Sequence, residues 1–304
     1  MNKLSCISYI YIGGTTMSDL ILNILPVGLR EYMNAINLEG LEEIRLRAEK
    51  QVILDFGKKK GRFVTDYIVS SGQIMEALEY ISTFSLYAYE DDIRQGFITI
   101  RGGHRVGIAG KVVMENGRIR TISNISSVNI RISHQVIGCA DEVMNLVSYN
   151  DNIYNTLIIS PPGVGKTTLL RDMLRLISDE LKLKVSIVDE RSEIASCYKG
   201  IPGNDVGINT DIYDCCPKVE GIMLMIRAMS PQVLAVDEVG GSDDIRALIR
   251  AAHAGIKLVA TVHGQGICDI ADEMKIFERY ICLESCIEMG RVITIYDKDF
   301  IRLI

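Results

Sequence analysis

NTLIISPPGVGKTTLLRDMLRLIS, residues 155–178, is the stretch whose reading decides the fold. Asn155 to Ser160 is a short apolar run suited to a buried strand, and Leu169, Leu170, Met173, Leu174 and Ile177 recur at helical spacing. Between them SPPGVGKTT (160–168) is a glycine-rich loop joining strand to helix. In that setting backbone N–H groups and the positive end of the helix cradle phosphates together. Gly163 and Gly165 permit a tight, phosphate-facing backbone that a Cβ would obstruct. With Pro161, Pro162, Val164 and Thr168 they complete the expected nucleotide-binding loop. Lys166 is placed to face the β- and γ-phosphates of ATP, and the Thr167 hydroxyl to hold Mg2+. The usual pattern has glycine where Ser160 stands. A serine at the strand end adds only a hydroxymethyl group and is tolerated unless the position requires positive φ.

Such a loop serves kinases, switch GTPases and motor ATPases alike, and PQVLAVDEVG (231–240) chooses among them. Val233–Val236 reads as a second buried strand that delivers Asp237 and Glu238 at its carboxyl edge, where open α/β sheets bind ligands. Asp237 suits a magnesium water shell, and Glu238 suits orienting and deprotonating an attacking water. Two further apolar strands end in polar groups. LKVSIVDERSEIA gives Asp189, Glu190 and Arg191, with Glu190 a second candidate for positioning water or metal. The alternative there is a helix capped by Ser192 with Glu193 as its dipole partner. IKLVATVHG delivers His263, read as a donor toward the γ-phosphate.

VDERSEIA, TDIYDCCPK, IRAMSPQVLAVDEVG and ATVHG, in that order behind PPGVGKTT, resemble the stage III sporulation protein AA family. More distantly they resemble the hexameric ATPases of type II and type IV secretion and of type IV pili. SLYAYEDDIRQGFITIRGGHRVGIAGKVV and SSVNIRIS extend the likeness into the amino-terminal half. The resemblance implies a RecA-like P-loop domain, with Lys166 and Thr167 as Walker A and Asp237 and Glu238 as Walker B. It also implies Glu190 as the acidic box and His263 as the histidine box. It further implies a ring of six subunits driving a secretion-like transenvelope complex of endospore formation. That subunit would lie on the mother-cell cytoplasmic face, docked to a small integral membrane protein. Gly241 stands where the relatives tend to carry arginine, so Arg227 in IRAMSP becomes a candidate for a phosphate across a subunit boundary. Its other role is that of a helix-terminal cation.

Composition bounds the alternatives. Residues 17–136 carry 15 Lys+Arg against 14 Asp+Glu, and residues 137–304 carry 17 against 25. The acidic motor half lacks the basic footprint a duplex-tracking protein needs, and there is no tryptophan to serve as a stacking platform. A nucleic-acid-stimulated loader or translocase is therefore the second reading. Lys58–Lys60 reads as a solvated loop. The eight cysteines show no paired zinc spacing and fit reduced thiols in a cytoplasmic protein. No apolar run approaches the ~20 residues that span a bilayer, so a membrane link goes through a partner.

The expected architecture is α/β: a RecA-like domain over 153–304, a hinge over 137–152, and a smaller α+β domain over 17–136. In that smaller domain EEIRLRAEKQVILDF suggests a strand pair and SSGQIMEALEYI a capped helix. FITIRGGHRVGIAGKVVMENGRIRTI suggests hairpins turning at Gly102–Gly103 and Asn116–Gly117. Arg101, His104, Arg105 and Arg131 are either strand-surface groups or cations lent to a nucleotide, and the resemblance to secretion ATPases raises Arg105 and Arg131. Residues 1–16 match nothing in the family. Ile12-Gly13-Gly14 is encodable as a ribosome-binding sequence, so Met17 is predicted as the native start, preceded by translated leader without function.

Overall fold

The computed structural model describes residues 17–82, 96–270, 272–286 and 290–304. Residues 1–16, where the leader was expected, and the SLYAYEDDIRQ run (85–95) lie outside the described residues. The chain forms two compact units.

The first unit begins with two short helices, α1 (Met17–Asn23) and α2 (Val27–Met33). They lead into β1 (Glu43–Arg47), β2 (Lys50–Asp55), the single turn α3 (Gly57–Lys60) and β3 (Arg62–Val69). Then come α4 (Ser71–Ile81), β4 (Phe97–Ile100), β5 (His104–Glu115) and β6 (Arg118–Arg131). The six strands make an antiparallel sheet in the order β3-β2-β1-β6-β5-β4. Strict alternation decides its faces: Ile44, Leu46, Leu54, Val106, Val128 and Ile130 are buried, in one cluster with Leu25, Leu29, Met33, Ile74 and Leu78 from the helices. The sequence EEIRLRAEKQVILDF forms the expected strand pair, and α4 starts with a capping box in which Ser70 and Gln73 satisfy each other's backbone N–H groups. The turn at Asn116–Gly117 has φ of 51° and 75°, the left-handed pair a two-residue hairpin demands. Lys58–Lys60 differs from the expected loop, since these residues lie in α3, whose Lys60 Nζ donates to the Glu39 carbonyl at 2.6 Å.

The second unit holds α5 (Asp141–Val147) and the short pair β7 (Ser148–Tyr149) and β8 (Asn152–Ile153), followed by β9 (Thr156–Ser160) and α6 (Lys166–Asp179). Next are β10 (Val185–Asp189), β11 (Thr210–Asp214), α7 (Lys218–Ala228), β12 (Val233–Val236) and α8 (Ser242–His253). The unit closes with β13 (Lys257–His263), β14 (Arg279–Cys286) and β15 (Gly290–Asp297). The sheet order is β11-β10-β12-β13-β9-β14-β15, parallel throughout except that β15 returns antiparallel to β14. Its central strands are buried along their whole length, which is why they read as continuous apolar runs rather than alternating ones. No helix among the described residues is long and apolar enough to cross a membrane.

Among the described residues the division is Gln135–Ala195 with Asn204–Ile304 on one side, and 17–134 with Ser196–Gly203 on the other. Residues 137–152 fall in the second unit, where the Ala140 N–H at the start of α5 donates to the buried Asp172 carboxylate at 2.9 Å. The octet Ser196–Gly203 was not foreseen in the first unit. There, a Cβ on Gly203 would meet the Gly103 nitrogen at 2.5 Å and the Ser196 carbonyl at 2.6 Å, a backbone-to-backbone approach that only glycine allows.

Candidate nucleotide site

The site lies at the carboxyl edge of the parallel sheet. Strand β13 sits between β9 and β12, with His263 opposite Ser160 on one side and Ala260 opposite Val236 on the other. The ladder thus carries Thr261 level with Asp237 and sets His263 beside the mouth of the loop after β9. Crossover helices make this possible, because each strand runs parallel to its neighbour and ends at the same edge.

In the loop, Gly163 and Gly165 have φ of 76° and 103°. A Cβ on Gly163 would meet nothing within 4 Å, so the requirement there is the left-handed backbone itself. Ser160 is buried, has no positive φ and donates its hydroxyl to the Pro161 carbonyl at 2.9 Å. Its side chain is accommodated, as expected. Pro162 and Gly163 are exposed, Pro161, Val164 and Thr168 half-buried, and the Thr168 carbonyl accepts from the Cys139 thiol.

Lys166, the first residue of α6, is buried and donates to Glu238 Oε1 at 3.1 Å. The Thr167 hydroxyl donates to Asp237 Oδ2 at 2.7 Å. Two pairs of residues some seventy positions apart in sequence are therefore in contact. Thr261 binds the other Asp237 oxygen through its hydroxyl and accepts from the Glu238 N–H at 2.9 Å. Glu238 has φ of 52°, an uncommon conformation for a side-chain-bearing residue, and these bonds hold it there. Its carboxylate also takes Arg191 Nη1 at 2.5 Å and lies 3.0 Å from His263 Nε2. Burial alone would raise this carboxyl; the hydrogen bond and charge of Lys166, the Arg191 charge and His263 outweigh it and hold the group below the usual glutamate value.

Glu190 follows β10 directly and pairs with Lys218, the first residue of α7. Arg227 sits exposed in the last turn of α7, at the edge where β12 begins, the far end of that strand from Asp237. It occupies the helix-terminal position of its second reading and is not brought to Lys166 within one chain. No helix follows Arg191, so Ser192 caps none: its hydroxyl is buried without a partner, and the Glu193, Ile194 and Ala195 N–H groups donate instead to Asp189. Burial pushes the Asp189 carboxyl up despite those three donors. Buried Arg171 of α6 donates to the Glu193 and Ile194 carbonyls, both at 2.7 Å, and fixes the same loop from the other side. Gly240 and Gly241 donate to Asp244 at the start of α8.

Sequence reasoning assigned no role to Arg191 or Thr261. The available signals were a cation directly after Glu190 at a strand end, and one hydroxyl inside the apolar strand IKLVATVHG. Of the amino-terminal cations, Arg131 pairs with Glu43 at 3.5 Å and Arg105 lies over the Phe97 ring, both strand-surface arrangements. His104 is buried, and its Nδ1 accepts from the Ser133 N–H at 3.0 Å.

The donor set fits magnesium with a nucleoside triphosphate. Thr167 and Asp237 offer adjacent hard oxygens, and Lys166 and the loop N–H groups suit phosphate. No group of three or more His, Cys, Asp or Glu side chains able to hold a metal exists among the described residues.

A parallel sheet with this strand order, a glycine loop opening α6 and the Thr167–Asp237 contact define a RecA-like P-loop domain, preceded by a smaller antiparallel α+β unit. The ATPase DotB of Legionella pneumophila has this fold, with a TM-score of 0.59 and 15% identity over 90% of this chain and 82% of that one. So does the pilus retraction motor PilT with bound ADP, at 0.60 and 16% over 89% and 82%. Within that class the chain belongs to the family described as Sporulation stage III, protein AA, whose model matches residues 16–303. Stage III sporulation protein AA of Bacillus subtilis (strain 168) is 41% identical over 297 residues, 92% of this chain and 95% of that protein. Protein SEEDLING PLASTID DEVELOPMENT 1 of Arabidopsis thaliana is 28% identical over 84% of this chain but only 35% of its own length.

Proposed function

We propose that this protein is a magnesium-dependent ATPase that hydrolyses ATP to ADP and phosphate and turns the cycle into mechanical work. Membership of a sporulation family, and a fold shared with proteins described as an ATPase and a pilus retraction motor, support a role in a secretion-like transenvelope complex of endospore formation. In this reading the subunit works from the mother-cell cytoplasm, in a ring of six, docked to a small integral membrane protein. Glu190 and His263 remain 42% and 43% exposed at the side chain, which suits a cleft completed by a neighbouring subunit.

The observation that carries the reading is the pairing of Thr167 with Asp237 and of Lys166 with Glu238 at one sheet edge. Bound Mg–ATP supplies the anhydride to be cleaved and a cation to offset phosphate charge. Lys166 and the N–H groups around Gly163 and Gly165 bind the phosphates, and Thr167 and Asp237 hold the ion. When Lys166 turns to phosphate, Glu238 stays held by Arg191 and His263 and accepts the proton of the attacking water. The test is Lys166→Ala, which should abolish nucleotide binding measured by a fluorescent ATP analogue. Near-normal affinity in that variant overturns the assignment. Turnover that rises many-fold with added oligonucleotide would instead favour a nucleic-acid-driven motor.

A further inference from the structure

β5 and β6 are longer than the sheet that holds them. β4 pairs with β5 only over His104–Gly107, and β1 pairs with β6 only over Ser127–Arg131. Beyond Ala109 and Ser127 the two strands pair with each other alone, through Lys111–Ser123 to Glu115–Arg118. The departure point is built: the register shifts between Ala109 and Lys111, and Asn124 has φ of 46°. A Cβ on Gly110 would meet the Ser123 and Asn124 carbonyls at 2.6 and 2.8 Å. A bulge of this kind re-aims the strands that leave it.

The resulting ribbon carries apolar side chains on one face. Val112 lies opposite Ile122 and Met114 opposite Ile119. Ile122, near the root, packs against the core of the unit, whereas Val112, Met114 and Ile119 stay 47%, 57% and 42% exposed. Around them are Lys111, Arg118 and Arg120 against a single acid, Glu115, which Arg120 already pairs at 3.5 Å. Three aliphatic side chains exposed together on a two-stranded ribbon, itself marginal in water, suit contact with an apolar phase.

We infer that the ribbon over residues 110–124 is a contact arm that inserts shallowly into an anionic phospholipid surface. Size argues against a second protein: two strands by six residues offer roughly 200 Å² on one face, against the ~800 Å² per partner of a stable interface. A bilayer interface needs only a few apolar side chains, and each nearby Lys or Arg adds attraction to anionic lipid. Charge gives the orientation as well. The chain carries a net −6, which an anionic surface repels, while the arm reverses that sign. The inference stands apart from the nucleotide reading, since none of these residues lies at the phosphate loop.

The chain has no tryptophan, so Met114→Trp in the full-length protein provides a single emitting indole. Its emission should shift to the blue with vesicles of phosphatidylcholine and phosphatidylglycerol, and should stay unchanged with phosphatidylcholine alone. In flotation with the mixed vesicles, Val112→Ser/Met114→Ser/Ile119→Ser and, separately, Arg118→Glu/Arg120→Glu should each cut recovery about tenfold, as should high salt for the parent chain. All are surface changes, and unaltered circular dichroism keeps the comparison fair. Equal recovery of parent and variants overturns the inference. So does equal recovery on neutral vesicles, or loss of self-association in the variants without any vesicle binding by the parent.

Discussion

Glu238 combines a left-handed backbone, an N–H that donates to the Thr261 hydroxyl, and three cationic or imidazole partners on its carboxylate. An amide in its place keeps the shape and loses basicity, so Glu238→Gln should bind ATP with near-parent affinity and turn over about a hundredfold more slowly. Glu190→Gln, which removes a partner of Lys218, should retain turnover within about tenfold; if it proves the slower enzyme in a phosphate-release assay, the two carboxylates exchange roles. Ser160→Gly should stay within a few-fold of the parent in the same assay, because the residue has ordinary φ and the loop's left-handed positions are Gly163 and Gly165. That Lys166, Thr167, Asp237 and Glu238 meet at one sheet edge was legible in the sequence, because each sits in a local strand-end motif. Arg191 and Thr261 were not, because their partners are set by which strands lie side by side, and a linear pattern does not carry strand order.

That order is the element-scale property on which the site depends, and the elements themselves were largely readable. Hairpins announced themselves by Gly102–Gly103 and Asn116–Gly117, α4 by its Ser70–Gln73 cap, and the parallel strands by unbroken apolar runs. The loop after β10 was harder, since Ser192 and Glu193 imitate a helix start. What decides against a helix is Asp189, whose buried carboxylate takes three successive N–H groups, and Arg171, which takes the carbonyls of Glu193 and Ile194. Replacing Arg171 with leucine removes one donor from each of the Glu193 and Ile194 carbonyls, the latter keeping Asn204 Nδ2 at 3.1 Å, and should cost about 1–3 kcal/mol in all. Urea unfolding should register the loss, and limited proteolysis should cut first between Asp189 and Ala195. Unchanged protection of that loop would show that Asp189 holds it alone.

At the scale of the whole molecule, solution acidity should act first through the amino-terminal unit. Burial, with His134 nearby, lowers the His104 imidazole to about 4 from 6.5. Between those values the unfolded chain binds the proton and the folded one does not, so stability should be full above pH 6.5 and decline as pH falls toward 4. The decline should total about 3 kcal/mol for a shift of this size, and a His104→Gln variant should flatten it in urea titrations across that range. The octet Ser196–Gly203 has a consequence of another kind. Because it is lent by the nucleotide unit's stretch of chain to the amino-terminal fold, the backbone passes between units after His134, after Ala195 and before Asn204. For heredity this means there is no clean seam: a recombination joint placed near residue 135 would hand the recipient an amino-terminal fold missing eight residues, with Gly103 bared where Ser196 and Gly203 press against it.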